Sequence, residues 1–548
     1  MKISKIIKQY GLLLILGLAL VVRLYKIDVI PPHLTSDEAA LGYNAYSVLK
    51  TGRDEYGSLF PIIFKSFGDY KPGLYVYFTV PTVGIFGLNE FSVRLVSVLA
   101  GVLAVFVLYE IVKRLTQNSN LALIASFVLS LNPWHIFFSR GAWEVNLSLT
   151  LTLLGILFFL FSLKKEKWLL VSAIFFGSTF VCYQGAKLST LIVLVILFCI
   201  YRREIFQFKS KVMLISLFIG FLITLPIISS VFQGKVGRLS VFSVFSYPRE
   251  DESLNHFLQE AGVSRDSLVY RIYYSESLNF FRGILGRWFN HFSLRFLFFE
   301  GDWQNLRHSA PYHGVMLLGD IVFLVTGIWV LIRRKIGKFE QLVFGWLVLS
   351  SLPAVLSRDQ VQAVRAYNML IPLVIIVALG VNQFLKYRWS KLMLAVLYLG
   401  GLVYFFESYF IQMPYLRSRD WNYGYKQIVE YITPIQDDYN EVRIQQSFAQ
   451  PYIYFLFYQK YDPSEYQKTA TLVDSEYKFD VGKVEELGDR IKFVNITWEN
   501  ERANPRNLVV ADTVMAPVEN VPVDDYTVLK EIKYLDRIYT AFRIMEIK

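Results

Sequence analysis

The chain has 548 residues, 54% of them apolar and 16% aromatic, with a mean hydropathy of +0.38. Charged residues make up 18%, against about 25% in a typical soluble domain, which excludes an ordinary water-soluble protein of this length. The net charge of +11 is unevenly divided: residues 413–548 hold 17 Lys and Arg against 22 Asp and Glu, so residues 1–412 carry +16. A basic excess confined to the apolar part is a topology signal, not a nucleic-acid footprint. Cys182 and Cys199 both lie in apolar runs, with neither disulfide nor metal spacing.

In chain order, the basic residues 1–8 precede an apolar run at 11–22. With no small-x-small site before Arg23, this reads as an uncleaved first helix. Runs long enough to span a bilayer fall at 7–25, 92–112, 120–138, 146–163, 168–182, 187–201, 212–232, 315–332, 340–356, 366–384 and 391–411. Those at 168–182 and 187–201 are short. Hydropathy offers a twelfth at 74–88. Basic clusters occur at Lys2/Lys5/Lys8, Lys113/Arg114, Lys164/Lys165/Lys167, Arg202/Arg203/Lys209/Lys211, Arg333/Arg334/Lys335/Lys338 and Lys386/Arg388/Lys391. Eleven spans put every cluster on the cytoplasmic side, whereas twelve put the later clusters outside. The segment 74–87 is therefore expected as an interfacial or re-entrant helix covered by protein. The expected fold is a polytopic α-helical membrane protein with about eleven spans. Residues 1–412 form the membrane domain, with external loops 28–91 and 233–314. Residues 413–548 form an extracytoplasmic α/β domain, and the N-terminus is cytoplasmic.

In the first external loop, Thr35 or Ser36 is expected to cap a helix running to Lys50, with Asp37 and Glu38 in its first turn and Gly52 at its end. Ala40, Tyr43, Ala45, Tyr46 and Leu49 give it an apolar side suited to the membrane surface. Pro72 is expected to start the interfacial helix. Acids in a helix's first turn ordinarily do no more than complement the dipole. Here they have company: Asp54, Glu55, Asp69 and Lys71 follow in the same loop. Carboxylates and a lysine beside the membrane can hold a lipid phosphate and activate a hydroxyl.

The acidic pair after the first span, then KPGLYVY, then a span opening SVRLVSVLAGVLAV, resembles the GT-C glycosyltransferases. More narrowly, it resembles prokaryotic relatives of the protein O-mannosyltransferase and lipid A aminoarabinose transferase family. The family pattern is Asp-Glu in the first external loop, a Lys-Pro-Pro-Leu-type helix, and an Arg-Leu start to the next span. Gly73 stands where the second proline would be. In NPWHIFFSRGAWEVN the family's Pro, Arg and acid correspond to Pro133, Arg140 and Glu144, the last often Asp in relatives. The resemblance implies inverting transfer of a sugar from a polyprenyl-phosphate donor at the outer face to a protein, lipid or glycan hydroxyl. Such a donor is already activated, so no nucleotide site is required, and neither a P-loop nor a Gly-rich dinucleotide turn is present. It implies Asp37 as general base, with Glu38 its neighbour and a substrate or metal contact; the reverse assignment stays open. Relatives include metal-independent and metal-containing members, so the resemblance leaves a divalent metal undecided.

Lys71, Arg140 and Arg365 fall near external helix ends and are the candidates for the donor phosphate. For Arg365, snorkelling to headgroups is the competing reading. Lys187 opens a span from outside and can join them. Asp69, Glu144, Arg307 and His308 are the further candidates for substrate contact. The last two lie in an aromatic–basic stretch, RWFNHFSLRFLFFEGDWQNLRHSAPYHG, that suits either interfacial anchoring or a cover over the site. In the C-terminal part, 423–432 and 451–458 read as helices and 441–446, 491–497, 507–512 and 541–547 as strands. No catalytic constellation appears there; binding an acceptor or covering the cleft is the expected role. The competing reading, a transporter or a flippase for a lipid-linked sugar, would call for inverted repeats and midplane charges. No such repeat is evident, and the charges sit at the ends of the runs.

Overall fold

The structure is a computed structural model that describes residues 2–233, 243–387, 390–473, 482–516 and 523–548. The side chains of Lys2, Lys5 and Lys8, Arg388, and residues 234–242 of the second external loop lie outside the described residues. The chain is a multi-pass membrane protein carrying a C-terminal sheet domain. The helices that position the site are α1 (Lys2–Leu24), α2 (Ser36–Thr51), α3 (Leu74–Phe86), α4 (Glu90–Thr116), α5 (Ser119–Leu131), α6 (Pro133–Phe138), α7 (Glu144–Ser162), α8 (Trp168–Phe180), α9 (Ala186–Ile205) and α10 (Ser210–Phe232). Among the described residues, five helical segments are long and apolar enough to cross a bilayer: Glu90–Thr116, Glu144–Ser162, Ser210–Phe232, Tyr367–Phe384 and Ser390–Arg417. On α10, Leu214, Leu217, Phe218, Phe221 and Leu222 are exposed together. A water-soluble surface does not carry an apolar face of that extent, and a lipid-facing one does.

Each apolar run falls on helix, but several are interrupted. The run at 120–138 breaks at Asn132. That residue is extended and accepts the His135 amide, and Pro133 opens α6 behind it. The run at 340–356 divides into Lys338–Leu349 and Leu352–Val355. The run at 315–332 starts its helix only at Asp320, because the amides of Val315 and Met316 bond to the carbonyls of Phe296 and Leu297 instead.

The loop after α1 matches expectation at α2 and departs from it before α3. Thr35 caps α2 through a reciprocal box with Glu38, and Gly52 closes it at φ +70°. Pro72 does not start α3. It ends a strand, β2 (Asp69–Pro72), which pairs antiparallel with β1 (Ile63–Ser66). The two-residue turn Phe67-Gly68 has positive φ at both positions, the geometry that suits the twist of a hairpin. Lacking Asn-Gly or Asp-Gly, the turn carries a weak signal in sequence. Helix α3 has 13 residues, about 20 Å, too short for a hydrocarbon core of about 30 Å. It runs antiparallel to the start of α4: Tyr75 donates to the carbonyl of Val93, and Thr82 to that of Ser92.

The C-terminal sheet has six strands: β3 (Val442–Gln445), β4 (Glu486–Leu487), β5 (Ile491–Val494), β6 (Leu508–Ala511), β7 (Tyr526–Lys533) and β8 (Thr540–Ile547), in the order β4-β5-β3-β6-β8-β7. Strand β3 is parallel to β5 and β6, and the remaining pairs are antiparallel. The apolar strand β6 is buried throughout, as a covered central strand must be. Strands β4 and β7, absent from the sequence reading, are a two-residue pairing and a largely exposed edge strand.

One core joins this sheet domain to the segment between α1 and α4: Tyr43, Tyr75 and Val76 pack with Tyr452, Phe457 and Tyr466. Tyr43 donates to the carbonyl of Tyr461, Tyr454 to that of Leu34, and Gln467 to Ser47, Thr51 and the carbonyl of Asp54. The apolar side of α2 at Tyr43 and Ala45 thus faces the sheet domain, not the membrane surface.

Arg140 is fully buried and spends all five N–H groups inside the protein. It donates to the carbonyls of Val22, Arg23, Tyr25 and Ile30 and to the Tyr409 hydroxyl. Four of these acceptors lie at the exit of α1, where helix carbonyls lack intrahelical donors. Arg140→Lys keeps the charge but offers three donors from one point. It is expected to cost on the order of 2–4 kcal/mol, seen as a lower unfolding midpoint in detergent; a midpoint equal to wild type would refute the stapling role.

Candidate active site

Consecutive residues on a helix point about 100° apart, and that angle separates the fates of Asp37 and Glu38. The Glu38 carboxylate is buried. It accepts the amides of Thr35 at 3.0 Å and Ala142 at 2.8 Å and pairs with Arg94 at 3.1 Å. Arg94 uses its other donors on the carbonyls of Ile27, Pro31 and His33. Both oxygens of Glu38 are thus engaged within the protein, and Glu38 is not among the residues that line the cleft beside Asp37. The five N–H groups of Arg140, expected at the donor phosphate, are likewise all directed to protein acceptors.

Asp37 faces the other way. Its side chain is 56% exposed and paired with Lys71 Nζ, which is almost covered. The two line a cleft with Asn44, Ser66, Val76 and Glu144. Glu144 is the first residue of α7, where a helix dipole favours an acid. Lys71 stands on β2, and its ammonium lies 5.1 Å from the Phe67 ring centroid. At Gly73, the position where relatives carry proline, a Cβ would run into the Phe64 ring of the paired strand. The hairpin thus presents Lys71 to Asp37, and the departure from the family pattern has a packing reason.

The remaining candidates are dispersed around this cleft. Asp69 is on the same strand as Lys71 and feels the charge of Lys187. Lys187 bonds Gln184, which donates to the carbonyl of Tyr70. Lys187 and Arg365 line a second cleft of about 430 Å³, and Arg365 also holds Asp359 at 2.9 Å. Arg307 and His308 line neither cleft. His308 Nδ1 is 2.9 Å from Asp302, and its ring meets Trp143 edge-on at 5.4 Å. Arg307 lies within electrostatic reach of Asp420 and Tyr454. Among the described residues, no three His, Cys, Asp or Glu side chains are grouped to hold a metal ion; the cleft offers two carboxylates, Asp37 and Glu144.

Sequence reasoning assigned no role to Glu55, directly behind the cleft. It is fully buried, and it accepts from Asn44 at 3.3 Å and Ser66 at 3.5 Å, both of which line the cleft. Burial pushes its carboxyl up to about 8. At the junction with the sheet domain, burial drives His33 down to about 4. Its neutral ring accepts the Lys426 amide at Nε2 and bonds the Leu34 carbonyl from Nδ1.

A model of the dolichyl-phosphate-mannose-protein mannosyltransferase family matches residues 70–229, beginning one residue before Lys71. No protein of curated function matches in sequence. Among solved structures, ArnT from Cupriavidus metallidurans bound to undecaprenyl phosphate superposes with a TM-score of 0.54 at 12% identity, over 98% of each chain. The fold is GT-C. The oligosaccharyltransferase of Archaeoglobus fulgidus, tethered to an acceptor peptide, gives 0.51 at 12% identity, over 93% of this chain and 70% of that one. The GT-C resemblance read from the first loop and the topology thus extends to the C-terminal sheet domain.

Two predictions follow from this geometry. Glu38→Gln leaves Arg94 buried without its counter-charge and is expected to lose about 3–5 kcal/mol. Asp37→Asn breaks a half-exposed pair worth about 0–1 kcal/mol. Unfolding midpoints of the two variants in the same detergent should differ widely; equal midpoints would refute the division of roles. For Glu55, the folded chain keeps a proton that the unfolded chain releases near the ordinary value of 4.5. Its cost to stability is therefore absent below 4.5, grows as pH rises toward 8 and is complete above 8. Glu55→Gln should flatten the decline in unfolding midpoint across that window, and an unaltered pH profile would show that Glu55 is already ionised.

Proposed function

We propose that the chain is an inverting glycosyltransferase that moves a sugar from a polyprenyl-phosphate donor to a hydroxyl of a protein, lipid or glycan acceptor. The observation that carries this reading is the Asp37–Lys71 pair in a cleft beside the membrane helices that Glu144 also lines. The GT-C fold supports it, as do the lipid phosphate held by the ArnT relative and the peptide tethered to the archaeal one.

In this reading Asp37 takes the proton of the acceptor hydroxyl, for which its exposure on a rigid helix suits it. The acceptor oxygen then forms its bond to the anomeric carbon from the face opposite the phosphate. The carbon–phosphate oxygen bond breaks, and the phosphate leaves as an anion on the polyprenyl chain. A base positioned in this way contributes about 10²–10⁴-fold. Lys71 exchanges its pairing with Asp37 for the departing phosphate, and Lys187 and Arg365 add positive charge from the adjoining cleft. Glu144 and Asp69 bind sugar or acceptor hydroxyls. Glu38 positions the base through Arg94 and does not itself meet substrate.

The same reading places eleven crossings between a cytoplasmic N-terminus and an external sheet domain. The supporting observations are the shortness of α3 and the gathering of Arg114, Lys164, Arg334 and Lys338 at one cleft, with Arg114 about 30 Å along α4 from Arg94. The sheet domain, fastened to the back of α2, acts as an acceptor platform rather than a separate enzyme.

Transfer of label from a defined polyprenyl-phosphate sugar in purified membranes tests the chemistry. Asp37→Asn should lose transfer by at least about a hundredfold while retaining its unfolding midpoint; full activity would remove Asp37 from the mechanism. A cysteine introduced near Lys530 should react with an impermeant reagent from outside intact cells. Labelling only from the cytoplasm would overturn the sidedness.

A further inference from the structure

A second concentration of positive charge lines a cleft away from the proposed active site. It lies at the other end of the bundle. Arg94, tied to Glu38, and Arg114 are twenty residues apart on α4, about 30 Å along the axis and equal to the thickness of a bilayer core. Around Arg114 a cleft of about 490 Å³ is lined by Lys164, Arg334 and Lys338, against the single carboxylate of Glu340. These cations come from separate parts of the chain: the end of α4, the α7–α8 turn, the segment after Asp320–Arg333 and the start of Lys338–Leu349.

Their present partners are weak ones. Arg114 meets Glu110 at 3.3 Å and Arg334 meets Glu340 at 3.3 Å, both at the surface, and Lys338 pairs with Glu204. Lys164 is exposed and has no carboxylate partner among the described residues. Exposed pairs of this kind contribute little, and a phosphate, with more acceptor oxygens, can replace them.

Beside this cleft is a cavity of opposite character. A groove of about 550 Å³ runs between α7, α8, α9 and α10, walled by Phe159, Phe176, Phe198, Leu217 and Gly220. Its few hydroxyls, on Ser172, Ser216 and Thr224, donate to backbone carbonyls and offer an occupant no strong donor. Cleft and groove are neighbours: Phe159, of the groove, packs edge-on against Tyr201, of the cleft, at 5.4 Å. A phosphate-binding cleft adjoining an apolar groove between helices matches the two halves of a charged lipid.

We infer that this end of the protein binds an anionic phospholipid, its phosphate among Arg114, Lys164, Arg334 and Lys338 and an acyl chain in the groove between α7, α8, α9 and α10. The site is in the leaflet opposite the proposed reaction and does not depend on the reading of that reaction. A free phosphate shares the headgroup chemistry but leaves the groove without a role. A polyprenyl phosphate bound for transfer would need its phosphate at the Asp37 end.

Lipid retention by the full-length protein tests the inference. Protein is purified from nanodiscs holding equal phosphatidylglycerol and phosphatidylcholine, and bound lipid is quantified by mass spectrometry after detergent washing. Phosphatidylglycerol should be retained preferentially. Lys164→Gln with Arg334→Gln should reduce that preference by about fivefold for each charge removed. Gly220→Phe is an independent second variant, since Gly220 lines the groove and a Cβ there meets nothing within 4 Å. It should release the lipid while leaving all four cations in place. Equal retention of the two lipids, or retention unaltered in both variants, would overturn the inference. So would displacement of the lipid by inorganic phosphate with no effect of Gly220→Phe, which would assign the cleft to a soluble anion. Stronger retention of added polyprenyl phosphate than of phosphatidylglycerol would assign it to the donor lipid.

Discussion

A guanidinium cannot shed its charge, so a buried arginine must find five acceptors or cost the fold dearly. Arg94 meets that demand with Glu38 and with three carbonyls from the chain between α1 and α2. Everything at the proposed site depends on this contact. It fixes the first turn of α2 against α4, and Glu38 also takes the amide of Ala142 and so ties in the turn before α7. Three elements distant in sequence are held at one carboxylate. With Glu38 turned inward, the neighbouring Asp37 faces outward, into the cleft that Glu144 also lines.

Arg140 performs a related service without a counter-charge. Its five donors gather carbonyls from the end of α1 and the turn beyond it. The two arginines together make a rigid collar where the chain leaves the membrane helices. That rigidity suits proton transfer, which tolerates little error in the placement of a base. The sheet domain adds to it from the other side. Tyr454 reaches the carbonyl of Leu34, Lys426 pairs with Glu90 at 2.8 Å, and Gln467 spans three acceptors at the end of α2. Asp37, the proposed base, is thus carried on a helix clamped between the membrane helices and the sheet domain.

The chemistry-bearing loop was legible because its signals are local. A capping box, a terminal glycine and acids in a first turn all act within a few residues, and α2 formed where they placed it. The hairpin before α3 was not legible. Its strands have four residues each and its turn is Phe-Gly, so pairing with each other and packing against α3 decide it more than propensity does. The long apolar runs were read as continuous. The run at 315–332 is interrupted for a tertiary reason, since the carbonyls of Phe296 and Leu297 compete for the amides before Asp320, whereas the run at 120–138 is interrupted locally, by the cap at Asn132 and the proline behind it.

Composition, spacing and local signals pointed to a multi-pass membrane protein with a distinct C-terminal part and a capped acidic helix after its first apolar run, and the motifs of that region carried the resemblance to GT-C enzymes. Apolar length, charge asymmetry and caps are properties of the chain, readable without knowing what touches what. Only the tertiary structure decided which carboxylate of the pair is available and which arginine is already committed. It also decided that the apolar side of α2 belongs to the sheet domain. Asp37 and Glu38 are chemically near-equivalent and adjacent in sequence; Arg94, Ala142 and Lys71, brought in from distant segments, make one an anchor and leave the other at the cleft.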